Sequence, residues 1–448
     1  MKRRAIAGNC NLMRFALFTS FVAFLFAFCY SPVVSAQSNT TRTRIHVPDD
    51  SPDPALVAAR AAMDHKDYAE AVRSYKEYLE KRPDDAEAHF DLGNAYASLK
   101  QTPDAKAEYE KAISLDSKLD AAYVNLGITL METEPAEAVE PFQKAAALVP
   151  NQARPQFLLG WAYERSGKPT LAIEHYRAAE KLDDSNSDIH FALGRVFLAS
   201  NQPADAETEF RATIASDPSN AQAHLGLSQA LMAHNKSEEA AAELGKYLEA
   251  RPGDTAARVA HALALATLGK SEEALAELDR AAGPSQESLS ALKLRAQVLF
   301  QLKRYDDAIA VLEKAAKLAP QDADIPAQIG HVYLEKRAYS DAARELLVAF
   351  KMNPQSNDVL GEIVAAEYLG KNYESALKAL DLLSQREELP PGTVFIRATC
   401  YDKLGQAAQA LDWYQKFLQL NRDQNNDMYF EATARVRFLT REIKEKKK

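Results

Sequence analysis

The chain has 448 residues, of which 47% are hydrophobic and 26% charged, and its formal charge is −9. That balance suits two or three ordinary domains or one extended array. An excess of carboxylates repels phosphate backbones, so a nucleic-acid partner is not expected.

Lys2, Arg3 and Arg4 lead into an apolar run over 15–30, and "VSA" before Gln37 supplies the small residues of a cleavage site. Residues 1–36 therefore have the form of an export signal cleaved after Ala36. The run is shorter than the roughly 20 residues of a comfortable membrane span, so the alternative is an uncleaved N-terminal anchor. The leader's form points to a bacterial periplasm. Its removal leaves 50 basic against 63 acidic residues, a charge of about −13. Cys400 is then the one remaining cysteine, which excludes an internal disulfide and a cysteine-built metal site. Residues 37–51 are polar and aperiodic, as in a flexible linker.

From residue 52 the chain repeats itself. Leu-Gly occurs at 92–93, 126–127, 159–160 and 193–194, and alanine recurs at 71, 105, 138, 172, 206, 240, 274, 308, 342, 376 and 410. Each alanine has an aromatic residue or leucine four places later, from Tyr75 to Tyr414. Closing prolines stand at Pro83, Pro150, Pro218, Pro252, Pro320 and Pro354. Eleven units of 34 residues fill 52–424 in one register, with a single deletion in the third.

Within a unit, apolar positions 4, 7, 8 and 11 form one face of a first helix, and positions 20, 24 and 27 form that of a second. Small residues such as Gly160 and Ala172 let the two backbones approach, and Tyr163 and Tyr176 fill the space beside them. One such hairpin cannot cover its own apolar face; stacked neighbours can. Turns are expected at 166–169, 201–204 and 302–305. Tyr429, Ala432, Val436 and Leu439 mark a final helix within 425–448 that caps the array, ending in a basic tail.

Leu159-Gly160, Tyr163, Ala172 and Tyr176, with the closing prolines, resemble the tetratricopeptide repeat (TPR). The resemblance implies an all-α, right-handed superhelical solenoid of about eleven antiparallel helix pairs with a C-terminal capping helix. Later units depart from the pattern. Ala262, Ala296, Val364 and Ala398 replace the glycine, while Arg295 and Arg397 replace the leucine before it, which leaves the crossing of those helices open.

Catalytic signatures are missing from the sequence: it holds no glycine-rich phosphate loop, nucleophile elbow or paired-histidine zinc motif, so no enzyme activity, cofactor or metal is expected. His89, His190 and His224 all fall at position 4 of a repeat. Neighbouring repeats stand roughly 10 Å apart, too far for three ligands to meet on one ion, so these histidines read as core residues. Cys400 reads as an inert packing thiol, with no histidine after His331 to activate it. The acidic run 184–188 reads as helix-cap chemistry.

Position 5 exceeds what packing requires. Leu56, Phe90, Val124, Phe157, Phe191, Leu225 and Val259 place an apolar group there in seven consecutive repeats, before Lys293, Ala327, Gly361 and Phe395 break the row. The family resemblance turns this position toward a concave groove. Position 9 adds Asn94, Trp161 and Arg195, and position 12 adds Met131, Leu198 and Met232. Two readings stand side by side: position 5 packs on neighbouring helices, or it lines an apolar groove for a partner peptide centred on Trp161. Asn94, Asn125 and Arg154 match places where a known variant of the family clamps a partner's terminal carboxylate. Phe90 and Leu158 stand where that variant expects basic residues. The expected function is a non-catalytic protein-interaction scaffold. The alternative is a structural or self-associating subunit of a cell-envelope assembly or secretion complex.

Overall fold

The computed structural model describes residues 53–282, 288–421 and 426–446. The expected leader and linker lie outside the described residues. Among those residues there are 23 helices and no strand, as the all-α helix-pair reading requires. The chain divides after Gly253 into two compact units.

The first unit stacks six helix pairs: α1 (Pro54–Asp64) with α2 (Tyr68–Lys81), α3 (Ala86–Ser98) with α4 (Thr102–Leu115), α5 (Asp120–Met131) with α6 (Val139–Leu148), α7 (Ala153–Arg165) with α8 (Pro169–Glu180), α9 (Ser187–Ala199) with α10 (Pro203–Ser216), and α11 (Ala221–Ala233) with α12 (Ser237–Ala250). The second unit repeats the plan with α13 (Thr255–Thr267) and α14 (Ser271–Ala281), α15 (Leu289–Gln301) and α16 (Tyr305–Leu318), α17 (Asp324–Lys336) and α18 (Tyr339–Met352), α19 (Asn357–Leu369) and α20 (Tyr373–Ser384), and α21 (Pro391–Lys403) and α22 (Ala407–Leu420). The last helix, α23 (Asp427–Lys446), packs on α22 and buries Ala432 and Leu439.

The repeat skeleton is the core. All eleven alanines at position 20 are 0% exposed, and the position-24 side chains that follow them are buried. The position-8 glycines exist to seat those side chains. A Cβ on Gly93 would stand 2.7 Å from the Tyr109 ring, and one on Gly160 2.6 Å from that of Tyr176. Phe210 lies between two glycines, Gly194 of its own repeat and Gly226 of the next. Interiors packed this densely leave no slack for a methyl group.

Each turn inside a pair uses the same device. In ten of the eleven repeats, position 15 adopts a left-handed backbone, as Lys100 (φ 58°), Gly167 (φ 70°) and Lys303 (φ 58°) show. The next amide then donates back to the carbonyl of position 11, as from Gln101 to Tyr96 (2.9 Å) and from Lys168 to Tyr163 (2.9 Å). These bonds satisfy carbonyls that the helix end leaves open. The exception is the third repeat, whose deletion falls in the 132–138 turn and removes the left-handed residue.

Where leucine is replaced by arginine, packing adapts. Arg295 donates to the Leu278 carbonyl (2.8 Å) and pairs with Asp279. Arg397 is 5% exposed; it pairs with Asp381 (3.0 Å) and stacks over Trp413, 4.6 Å from its centre. Cys400 is fully buried, and burial pushes its thiol up to about 12. Asn186 caps α9 by accepting from the Asp188 amide (3.0 Å), the capping role read from that acidic run.

Candidate partner-binding groove

Within the first unit, α3 touches α5, α5 touches α7, α7 touches α9 and α9 touches α11, so these first helices form one wall. Repeat positions 5, 9 and 12 fall along it. The structure divides the expected site residues into three groups.

Val124 (8% exposed), Met131 (2%) and Leu225 (2%) are core residues. Their place on the groove wall is corrected: their side chains are filled in by neighbouring helices and present no surface to a partner. Val259 belongs to the other compact unit.

A second group is half-buried: Phe90, Phe157, Trp161, Phe191 and Leu198 pack one side on the core and leave the other open. The phenylalanines lean on the position-24 aromatics of their own repeats. Phe90 meets Tyr109 at 6.0 Å between ring centres, Phe157 meets Tyr176 at 5.4 Å, and Phe191 meets Phe210 at 5.8 Å. Position 5 thus serves packing as well as lining.

The polar candidates are engaged with each other. Asn94 Oδ1 accepts from the Tyr109 hydroxyl (2.9 Å) and from Asn125 Nδ2 (2.7 Å) of the next repeat. Arg195 holds Glu164 of the preceding repeat through two bonds, at 2.7 and 2.8 Å, and the Tyr176 hydroxyl donates to the same carboxylate. Burial raises the Glu164 pKa, while Arg195 and Tyr176 oppose that rise. Sequence reasoning missed Glu164, although a carboxylate at position 12, where Met131, Leu198 and Met232 stand in other repeats, was a visible anomaly. Arg154 is exposed, whereas Asn94 and Asn125 are half-buried. A carboxylate clamp across Asn94, Asn125 and Arg154 gains nothing from these contacts, because the two amides already bond each other.

The histidines do not converge on one ion. His89, His190 and His224 each face a glutamate of their own second helix: Glu108 (2.6 Å), Glu209 (2.8 Å) and Glu243 (2.5 Å). Among the described residues, Glu180, His190 and Glu209 are close enough to hold a metal. The Arg177 guanidinium already binds both carboxylates there, Glu180 at 2.8 Å and Glu209 at 2.6 Å, so a cation fills the place by charge.

Comparison with known proteins agrees with this repeat geometry. Family models described as tetratricopeptide repeat match 56–120, 132–187, 191–255, 299–360 and 393–424, together more than half of the chain. A model described as anaphase-promoting complex, cyclosome, subunit 3 matches 233–315. A small glutamine-rich tetratricopeptide repeat-containing protein 2 of Saccharomyces cerevisiae is 28% identical over 120 residues, which is 25% of this chain and 35% of that protein. An uncharacterized TPR repeat-containing protein of Arabidopsis thaliana is 28% identical over 29% of this chain and 17% of its own length. The chain thus spans about a third or less of these relatives. Among solved structures, YrrB, described as a TPR protein with an unusual peptide-binding site, aligns at 23% identity and a TM-score of 0.38, covering 42% of this chain and 97% of that one. PilW, a type IV pilus biogenesis factor, aligns at 20% identity and 0.39, covering 44% and 92%. Repeat length, buried alanine and glycine-seated aromatic, in register along the chain, place it in the tetratricopeptide repeat family.

Proposed function

We propose that the chain is a non-catalytic scaffold that binds a partner protein through the first-helix wall of its N-terminal unit. The contact centre is Trp161 with Phe157, Phe191 and Leu198. One observation supports this reading above others. The polar side chains of the wall pair among themselves, as Arg195 does with Glu164 and Asn94 with Asn125, whereas these four apolar groups stay half-open beside them. Aromatic groups rimmed by polar ones are the usual energetic centre of a protein contact.

Arg154 and Arg165, both exposed, stand at the two ends of α7, on either side of Trp161. In a chain of net charge −9, that local positive charge favours a segment carrying apolar side chains flanked by carboxylates. The leader supports export, so the partner would lie outside the cytoplasm.

A fluorescein-labelled random-sequence peptide library, holding acidic, basic and apolar members, panned against the full chain tests this. Selection of apolar sequences with acidic flanks, whose binding Trp161→Ala abolishes, supports the reading. Selection of basic peptides, or binding indifferent to Trp161, overturns it.

A further inference from the structure

Repeat position 4 is occupied in a patterned way. His89, His190 and His224 stand there in the second, fifth and sixth repeats, and each imidazole is held from both sides. Nδ1 faces a carboxylate nineteen residues later, as above. Nε2 faces a backbone carbonyl six residues earlier: Pro83 (3.0 Å), Asp184 (2.9 Å) and Pro218 (3.2 Å). Carbonyl and carboxylate oxygens only accept, and a neutral imidazole has a single N–H. Both contacts are met as hydrogen bonds only when both ring nitrogens carry protons.

Two other repeats show what the position tolerates. In the seventh, Arg258, cationic at every working pH, takes the place and reaches Glu277, again nineteen residues on, at 2.9 Å. In the fourth the pair is exchanged and neutral: Gln156 at position 4 meets His175 at 2.9 Å, and burial lowers the His175 pKa. In the second, fifth, sixth and seventh repeats a group that can be a cation at position 4 meets a glutamate nineteen residues later; the ninth, with Pro326 and Glu345, does not follow them.

The carbonyl lies in the turn that enters the repeat, and the carboxylate lies on its second helix. One ring therefore ties together the incoming turn, the first helix and the second helix. We propose that His190 is a protonation-dependent clasp on a repeat joint of the N-terminal unit, closed when the imidazole is cationic and slackened when it loses a proton; His89 and His224 share its two-sided geometry.

The surroundings of each ring fit this. His190 faces Glu209 on α10 and Glu180 on α8 (3.5 Å), with Arg177 of α8 bridging the two carboxylates. Burial opposes its charge, but the bonds it donates to Glu209 and to the Asp184 carbonyl, with the charges of Glu209 and Glu180, outweigh burial and hold its pKa above the ordinary value. His89 faces Glu108 on α4, whose charge also acts on Lys76 of α2. His224 faces Glu243 on α12, which also binds Lys246 (2.9 Å). A base whose pKa is raised by folding stabilises the fold fully below its unfolded value and loses that contribution as pH rises through the folded one. The His190 clasp therefore opens on the alkaline side.

A double-mutant cycle on His190 and Glu209 isolates one clasp from all other titrations. The full chain with Trp413→Phe leaves Trp161 as the fluorescent reporter of the N-terminal unit. Urea unfolding of this chain, H190Q, E209Q and the double variant is measured at about pH 5.5 and about pH 8.5. The expected coupling in the unfolding equilibrium is about tenfold at the lower pH and close to unity at the higher. Equal coupling at both overturns the proposal. Imidazole nitrogen-15 shifts of the unmodified chain decide independently if a variant fails to fold: two protonated nitrogens at His190 near pH 6 support the clasp, and a single neutral tautomer overturns it.

Discussion

Arg195 and Glu164, thirty-one residues apart, join two successive repeats through two parallel hydrogen bonds, and Tyr176 donates to the same carboxylate from beneath. The pair belongs to the architecture of the wall. Arg195→Ala is expected to lower stability by about 1 kcal/mol, because Arg195 is 40% exposed and solvent screens the pair. Peptide affinity should stay within about twofold of the parent. Urea unfolding and peptide titration on the same sample check both halves.

Gly160 should tolerate nothing larger. Its missing Cβ would lie 2.6 Å from the Tyr176 ring, which is itself fully buried. Gly160→Ala is expected to destabilise the N-terminal unit by about 1–3 kcal/mol, although alanine is the better helix former. A thermal melt showing equal or higher stability would mean that the ring has room to move.

Trp161 gives the opposite pattern. Trp161→Ala is expected to weaken peptide binding by about 2 kcal/mol or more while shifting the melting temperature little. Met131→Ala, at a site 2% exposed, should cost about 2–5 kcal/mol of stability. A calorimetric titration beside a melt separates the two residues.

The left-handed turn residues that are not glycine carry strain. Lys100 and Lys303 hold φ of 58°. Lys303→Gly is expected to raise stability by up to about 1 kcal/mol, since glycine adopts that conformation without a Cβ clash. The same change at Lys106, inside α4, should destabilise by about 1 kcal/mol. Paired urea titrations read the difference.

Cys400 should be silent. Its thiol is fully buried and pushed up to about 12, so almost no thiolate exists near neutrality. Iodoacetamide labelling mapped by mass spectrometry should leave residue 400 unmodified in the native chain and modify it in urea.

Much of this molecule was legible as a string. A 34-residue period, an alanine four places before an aromatic residue or leucine, and a glycine facing that side chain reflect contacts made inside one hairpin and with its neighbours. Local contacts of that kind must recur wherever the hairpin recurs, so Ala71 to Ala410 could all be named as core from spacing alone, and all eleven are fully buried. The period also placed the deletion of the third repeat, whose turn lacks the shared left-handed residue.

The sequence could not divide position 5 between lining and packing. Phe157 and Leu225 occupy the same repeat position, yet the first is half-open and the second buried, because the height of a side chain above the wall depends on what the adjacent repeat presents to it. Nor could spacing reveal that Arg195 is occupied by Glu164, or that His190 points at Glu209 and the Asp184 carbonyl at once. The period names which residues are equivalent; charge pairing and accessibility arise between elements, where the side chains of two or three helices compete for one space, and only the folded chain settles that competition.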